Sequence, residues 1–212
     1  CRRVRLESYF QIKIFISITL KKIIMQNVFL ALGIVMTLLA AGCKKDPKNP
    51  DPEQELITTL QLTLTETTAP FSKHIFTFKD VDGDGGADPT IDTIKVPAGK
   101  TYHASLLLLD ERNLPVDTVS NEINELNTIH QFFYQSTPAD VFADFVYKTF
   151  DDNGKPLGTE FECKSKNIAA SGSLRITLRH ELNKNGEGVS SGDITHADGE
   201  TDIEVDFPVR LY

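Results

Sequence analysis

Leu56-Ile57-Thr58-Thr59-Leu60-Gln61-Leu62-Thr63-Leu64-Thr65 alternates apolar and polar side chains along its length. Successive side chains of an extended chain point to opposite faces, so Leu56, Thr58, Leu60, Leu62 and Leu64 share one side and the Thr-rich remainder the other. This is the pattern of a half-buried β-strand, and it recurs through the rest of the chain. Residues 74–79 carry Ile75, Phe76 and Phe78. Residues 91–96 read as a strand, Pro97-Ala98-Gly99-Lys100 as a turn, and residues 101–109 as a strand whose run Leu106–Leu109 offers apolar side chains to both faces, the mark of a central position.

Further along, residues 129–134 form an aromatic strand. Residues 141–150 and 159–164 pair as a hairpin across Asp151-Asp152-Asn153-Gly154-Lys155-Pro156, where Asn-Gly supplies the turn conformation. Leu174, Ile176 and Leu178 alternate against Arg175, Thr177 and Arg179. A polar, glycine-rich loop over 184–199 precedes a last strand, with Ile203, Val205, Phe207 and Val209 inward and Pro208 marking an edge position or a bulge. Residues 115–129 leave two readings open: Val119, Ile123 and Leu126 could stripe a short helix, or the segment could be an edge strand and loop. About eight strands with at most one short helix predict an all-β domain, an immunoglobulin-like β-sandwich over residues 56–212.

Upstream of this domain the composition changes. Residues 1–42 hold six of the 22 Lys and Arg and one of the 30 Asp and Glu, so the chain from Cys43 onward has a net charge near −13. A domain that acidic repels phosphate backbones, which argues against nucleic acid as a partner. Lys21-Lys22 precede the apolar run 23–41, in the order of a signal peptide's basic and hydrophobic regions, and a start near Leu20 would suit it. Leu38-Leu39-Ala40-Ala41-Gly42-Cys43 closes the run and resembles a bacterial lipobox, with Ala40 where Leu is more usual. That resemblance implies cleavage before Cys43 and a covalent diacylglycerol on its sulfur. The competing reading is a membrane-spanning helix of roughly twenty apolar residues. Residues 43–55 then hold three prolines and make a semi-rigid spacer.

Asp80-Val81-Asp82-Gly83-Asp84-Gly85-Gly86-Ala87-Asp88 is the sharpest chemical feature. Alternate aspartates present hard oxygen ligands around one point, and the loop resembles the first half of an EF-hand or dockerin-type Ca²⁺ loop. The resemblance implies Asp80, Asp82 and Asp84 as side-chain ligands, the Gly86 carbonyl as a fourth, and Asp88 bound directly or through water. The twelfth position is Ile91 where those loops carry an acid, with Asp92 one place late, so only a weak site is expected. The alternative is a solvated acidic turn.

Other chemistry is thin. The five histidines (His74, His103, His130, His180, His196) show no metal-ligand spacing, and no Gly-x-Ser-x-Gly elbow occurs. Glu160 and Glu162 share a strand face and could serve a carboxylate-dependent hydrolase. With no Trp in the chain, Tyr102, Phe133, Tyr134 and Tyr147 are the rings available to a glycan platform, and core packing accounts for them equally. Cys163, the one cysteine after Cys43, reads as a buried small hydrophobe.

Cys43, the acidic loop, His130-Gln131-Phe132-Phe133-Tyr134, Asp152-Asn153-Gly154, Leu178-Arg179-His180-Glu181 and Gly199-Glu200-Thr201-Asp202-Ile203-Glu204-Val205 together resemble a family of small Bacteroidota lipoproteins over residues 43–212. Some members bear the label "type 1 periplasmic binding fold superfamily", which implies two α/β lobes. This chain lacks the alternating helix and strand patterns for that. The expected function is a lipid-anchored, extracytoplasmic binding or interaction module of the outer membrane, facing the periplasm or the cell surface, without catalysis and with Ca²⁺ as its candidate ion. The alternatives are a glycan or small-ligand capture lipoprotein serving an outer-membrane uptake system, and the hydrolase.

Overall fold

The structure is a computed structural model that describes residues 55–83 and 86–212. Cys43, the apolar run and the proline-rich spacer up to Gln54 lie outside the described residues, as do Asp84 and Gly85. Among the described residues no helix is long and apolar enough to cross a membrane.

Among the described residues, ten strands form two sheets. β1 (Thr59–Glu66), β2 (Lys73–Lys79), β3 (Thr90–Ile91), β5 (Thr101–Leu109), β7 (Phe142–Tyr147) and β8 (Glu160–Ser165) make a six-stranded sheet in the order β3-β2-β1-β5-β8-β7. β4 (Ile94–Val96), β6 (His130–Thr137), β9 (Ala170–His180) and β10 (Glu200–Leu211) make a four-stranded sheet in the order β4-β10-β9-β6. Every pairing is antiparallel except β4 with β10. The expected β-sandwich is the architecture. Leu60, Leu62 and Leu64 of β1, Leu106 and Leu108 of β5, Leu174, Ile176 and Leu178 of β9, and Val205 and Phe207 of β10 meet in one buried cluster between the sheets. Each such side chain contributes about 1.5–3 kcal/mol by leaving water, which holds the sheets together without a disulfide.

Residues 91–96 are not one strand. Ile91 ends β3 in the first sheet and Ile94 begins β4 in the second, so the chain crosses the sandwich between them. Both halves look alike in sequence because each strand offers one apolar face. The ambiguous segment contains a helix, α1 (Val119–Glu125), with Val119 and Ile123 buried and Leu126 exposed. The Leu108 amide donates to Ser120 Oγ at 2.8 Å, fixing α1 against β5. Pro208 lies within β10, yet β4 pairs with β10 only at Val209–Leu211, so at Pro208 the strand has a ladder partner in β9 alone. Its local setting is an edge, although β10 becomes central at the next residue, Val209.

The glycine-rich loop packs against the outer face of β6. Leu182, Val189 and Ala197 cover Phe133 there, and Gln131 Nε2 donates to the Val189 carbonyl at 2.8 Å. Lys184 pins the start of this loop. Its Nζ, almost wholly buried, donates to Asp151 Oδ2 and the Asn127 carbonyl at 2.8 Å each and to the Pro156 carbonyl at 3.0 Å.

Candidate functional site

At one end of the sandwich, register assembles a polar cluster. β6 and β9 pair with His130 opposite His180, and both histidines fall in phase with inward side chains: Phe132 and Tyr134 on β6, Ile176 and Leu178 on β9. Both are buried, at 1% and 4% exposure. Asp202 arrives by a different route. Regular alternation would turn it away from the side taken by Ile203 and Val205, but the β10–β9 register slips between Thr201 and Ile203. Asp202 is the extra residue of that bulge, and its carboxylate has no solvent exposure.

His180 Nδ1 lies 2.7 Å from Asp202 Oδ1, the distance of a strong hydrogen bond. His130 Nε2 lies 3.5 Å from Asp202 Oδ2, and Oδ2 itself carries no hydrogen bond. His130 Nδ1 faces the Leu126 carbonyl at 3.0 Å, so a proton on Nδ1 serves that bond. Glu55 at the cleft wall and Glu122 of α1 add two more carboxyls to the surroundings of this group. Burial, the bond to Glu122 and its charge push the Glu55 carboxyl up to about 7, with Asp202 adding to the rise and His130 opposing it.

A cleft of about 450 Å³ opens beside the cluster. Its walls include the carboxylate residues Glu55, Asp80, Asp82, Asp202 and Glu204, with Phe78 and Ile203 among the apolar contributions. Arg112 is the one cationic residue among its described walls, and Asp110 already grips the guanidinium, with Nε at 2.9 Å and Nη2 at 2.6 Å. The cleft is therefore an acidic surface whose own cation is neutralised.

Of the predicted calcium ligands, Asp80 and Asp82 face this cleft and Asp88 is exposed. Asp80 Oδ1 accepts the Gly83 amide and Asp82 Oδ2 the Ala87 amide, both at 2.8 Å. Gly86 sits directly on the Asp82 carboxylate, where a Cβ would collide. Each carboxylate thus spends one oxygen on the loop's own backbone, as a solvated turn would require. Asp84 lies outside the described residues, and among those described no group of three or more His, Cys, Asp or Glu side chains is arranged to hold a metal ion.

Other candidates are spread apart. Glu160 pairs with His103 at 3.4 Å and Glu162 with Lys148 at 3.0 Å, away from the cleft. Tyr102, Phe133 and Tyr134 are buried, and the Tyr147 hydroxyl donates to the Phe132 carbonyl at 2.8 Å, so these rings make no exposed platform. Cys163 is buried against the core, and burial followed by the nearby Glu162 charge pushes its thiol up to about 12. The residues that sequence reasoning passed over are Glu55, Glu122, His130, His180 and Asp202. The two histidines had a legible signal, sitting on the inward phase of apolar strands. Asp202 had none, because only the bulge turns it in.

Comparison of the chain with models of protein families, with curated proteins and with solved structures found no match.

Proposed function

We propose that this chain is a lipid-anchored, extracytoplasmic binding module that holds a cationic ligand in the acidic cleft at the end of its sandwich and performs no chemistry on it. The cleft carries the reading: five carboxylate residues line it, of which Asp202 turns its carboxylate inward and Glu204 pairs with Arg175 at 2.8 Å, and its arginine is occupied by Asp110. Converging carboxylates focus a negative potential that concentrates cations and steers cationic groups inward. The anchor at Cys43 and an outer-membrane location rest on the sequence from Leu38 to Cys43. Cys43→Ala in cells should leave the precursor uncleaved and without incorporated acyl chain; a normally processed, membrane-bound variant would overturn that part.

Ligand class is tested by calorimetry on the full chain in detergent, with calcium chloride as one probe and an oligolysine peptide as the other. Calcium heat lost in Asp82→Ala assigns the acidic loop to the ion. Peptide heat that weakens in Asp82→Ala and Glu204→Gln assigns the cleft to organic cations. Silence with both probes sinks the proposal.

One observation favours a second reading, carboxylate-dependent hydrolysis. Glu55 at the cleft wall is pushed up to about 7, chiefly by burial and also by Glu122, the property of a general acid. Turnover of a chromogenic glycoside that disappears in Glu55→Gln would establish it.

A further inference from the structure

The outer face of the six-stranded sheet has an uncharged centre. Alternation turns Gln61, Thr63 and Thr65 of β1 outward, away from the core that takes Leu60, Leu62 and Leu64. Register sets Ile75 of β2 on one side of them and Ser105 and Leu107 of β5 on the other. Ile75 and Leu107 are exposed, at 49% and 36%. The outer face of the four-stranded sheet is different: there Arg175 pairs with Glu204 at 2.8 Å and Asp206 at 2.6 Å. On a chain whose net charge from Cys43 onward is near −13, two copies repel least where the surface is neutral.

Charges stand at the flanks of this centre and differ in sign. β2 brings Lys73 and Lys79, and β8 brings Glu160 and Glu162. Glu160 is met by His103, Glu162 by Lys148 and Lys79 by Glu111, whereas Lys73 has no ion-pair partner among the described residues. Lys73, Thr65, His103 and Glu162 form one row across four neighbouring strands. Lys73 and Glu162 therefore sit equally far from the line between β1 and β5, on opposite sides of it.

We propose that this face docks on the same face of a second copy, about a twofold axis that lies between the two sheets and runs along the strands. Such an axis reverses strand order and keeps height along the strands, so β2 lies over β8 of the second copy and β1 over its β5. Lys73 of each copy then meets Glu162 of the other, Thr63 meets Ser105, and Ile75 and Leu107 leave water. An axis across the strands would instead set β2 over β2 and β8 over β8, lysine against lysine and glutamate against glutamate. Charge selects the first arrangement. It also makes β1 run the same way in both copies, so the two Glu55 ends emerge together, as two anchors in one membrane require. The face pairing stands whether or not the cleft binds cations.

The test is sedimentation velocity of the full chain in density-matched detergent over a micromolar concentration range, with a concentration-dependent dimer expected. Thr63→Arg places a charge at the centre of the face and should leave a monomer with unchanged far-UV circular dichroism. Lys73→Glu and Glu162→Lys should each weaken dimerisation about tenfold or more, because a like-charge contact replaces both symmetry-related pairs. Together they should restore it, since the pair is rebuilt with its signs exchanged. A chain that stays monomeric across the range overturns the proposal. So does a dimer that survives Thr63→Arg, which another surface must hold. A double variant that regains nothing overturns the twofold arrangement.

Discussion

Lys184→Met should be among the most destabilising single changes in the described domain, because it strands a buried charge. Lys184 Nζ has three acceptors within 3.0 Å, and its partner Asp151 is 1% exposed at the side chain. Removing one partner of a buried pair costs about 3–5 kcal/mol. Asp151 Oδ1 keeps the Asn153 and Lys155 amides, at 2.9 and 2.8 Å, so part of its charge stays solvated. The Asn127 and Pro156 carbonyls each lose a donor, adding a smaller penalty. The net expectation is about 3 kcal/mol, or a fall in Tm on the order of 10 °C for a domain of this size. With no Trp in the chain, urea unfolding is followed by far-UV circular dichroism. Lys184→Met/Asp151→Asn removes the stranded charge, so it should be about 1–2 kcal/mol more stable than the two single costs added together. Acid provides a second reading. Burial acts to raise the Asp151 carboxyl, but the Lys184 bond, the Lys155 and Asn153 amides and the Lys184 charge outweigh it and hold the group below its ordinary 3.8. A depressed carboxyl stabilises the fold above its unfolded pKa, and that contribution is lost as pH falls through the folded value. Wild type should therefore lose this term only below about pH 4, and Lys184→Met should shed most of that dependence. A cost under about 1 kcal/mol, or strict additivity in the double variant, would refute the claim that the pair is a buried, mutually dependent clip.

Two further expectations concern the sandwich itself. Gly172 lies where β9 passes β6, and a Cβ there would run into the Thr137 carbonyl oxygen, with Pro138 and Val141 also close; Gly172→Ala should cost about 1–3 kcal/mol in the same urea assay, and a neutral result would mean that the strands part easily there. The Cys163 thiol, 1% exposed and pushed up to about 12, should not react with a disulfide reagent in the native protein at neutral pH and should react fully once unfolded; rapid native labelling would show that this part of β8 opens to solvent.

What was legible in the sequence follows from what local geometry controls. Leu60, Leu62 and Leu64, or Leu174, Ile176 and Leu178, share a face because side chains of an extended chain alternate, and all six are fully buried. The same alternation carries His130 and His180 inward, but the histidines were read only for metal-ligand spacing, and nothing local said that these two would meet. The choice of partner strand is a long-range matter. Residues on either side of 92–93 read as one strand and serve different sheets, since each strand satisfies the same alternation wherever it is placed. Asp202 is the sharpest case. Its position in the alternation points outward, and only the register slip against β9 turns its carboxylate into the polar cluster. The sequence by itself determined the strands, their buried faces and the acidity of the domain, because these depend on neighbours one or two residues away. Tertiary structure decided the sheet partners, the bulge and the meeting of His130, His180 and Asp202, because those depend on contacts between segments that local periodicity does not link.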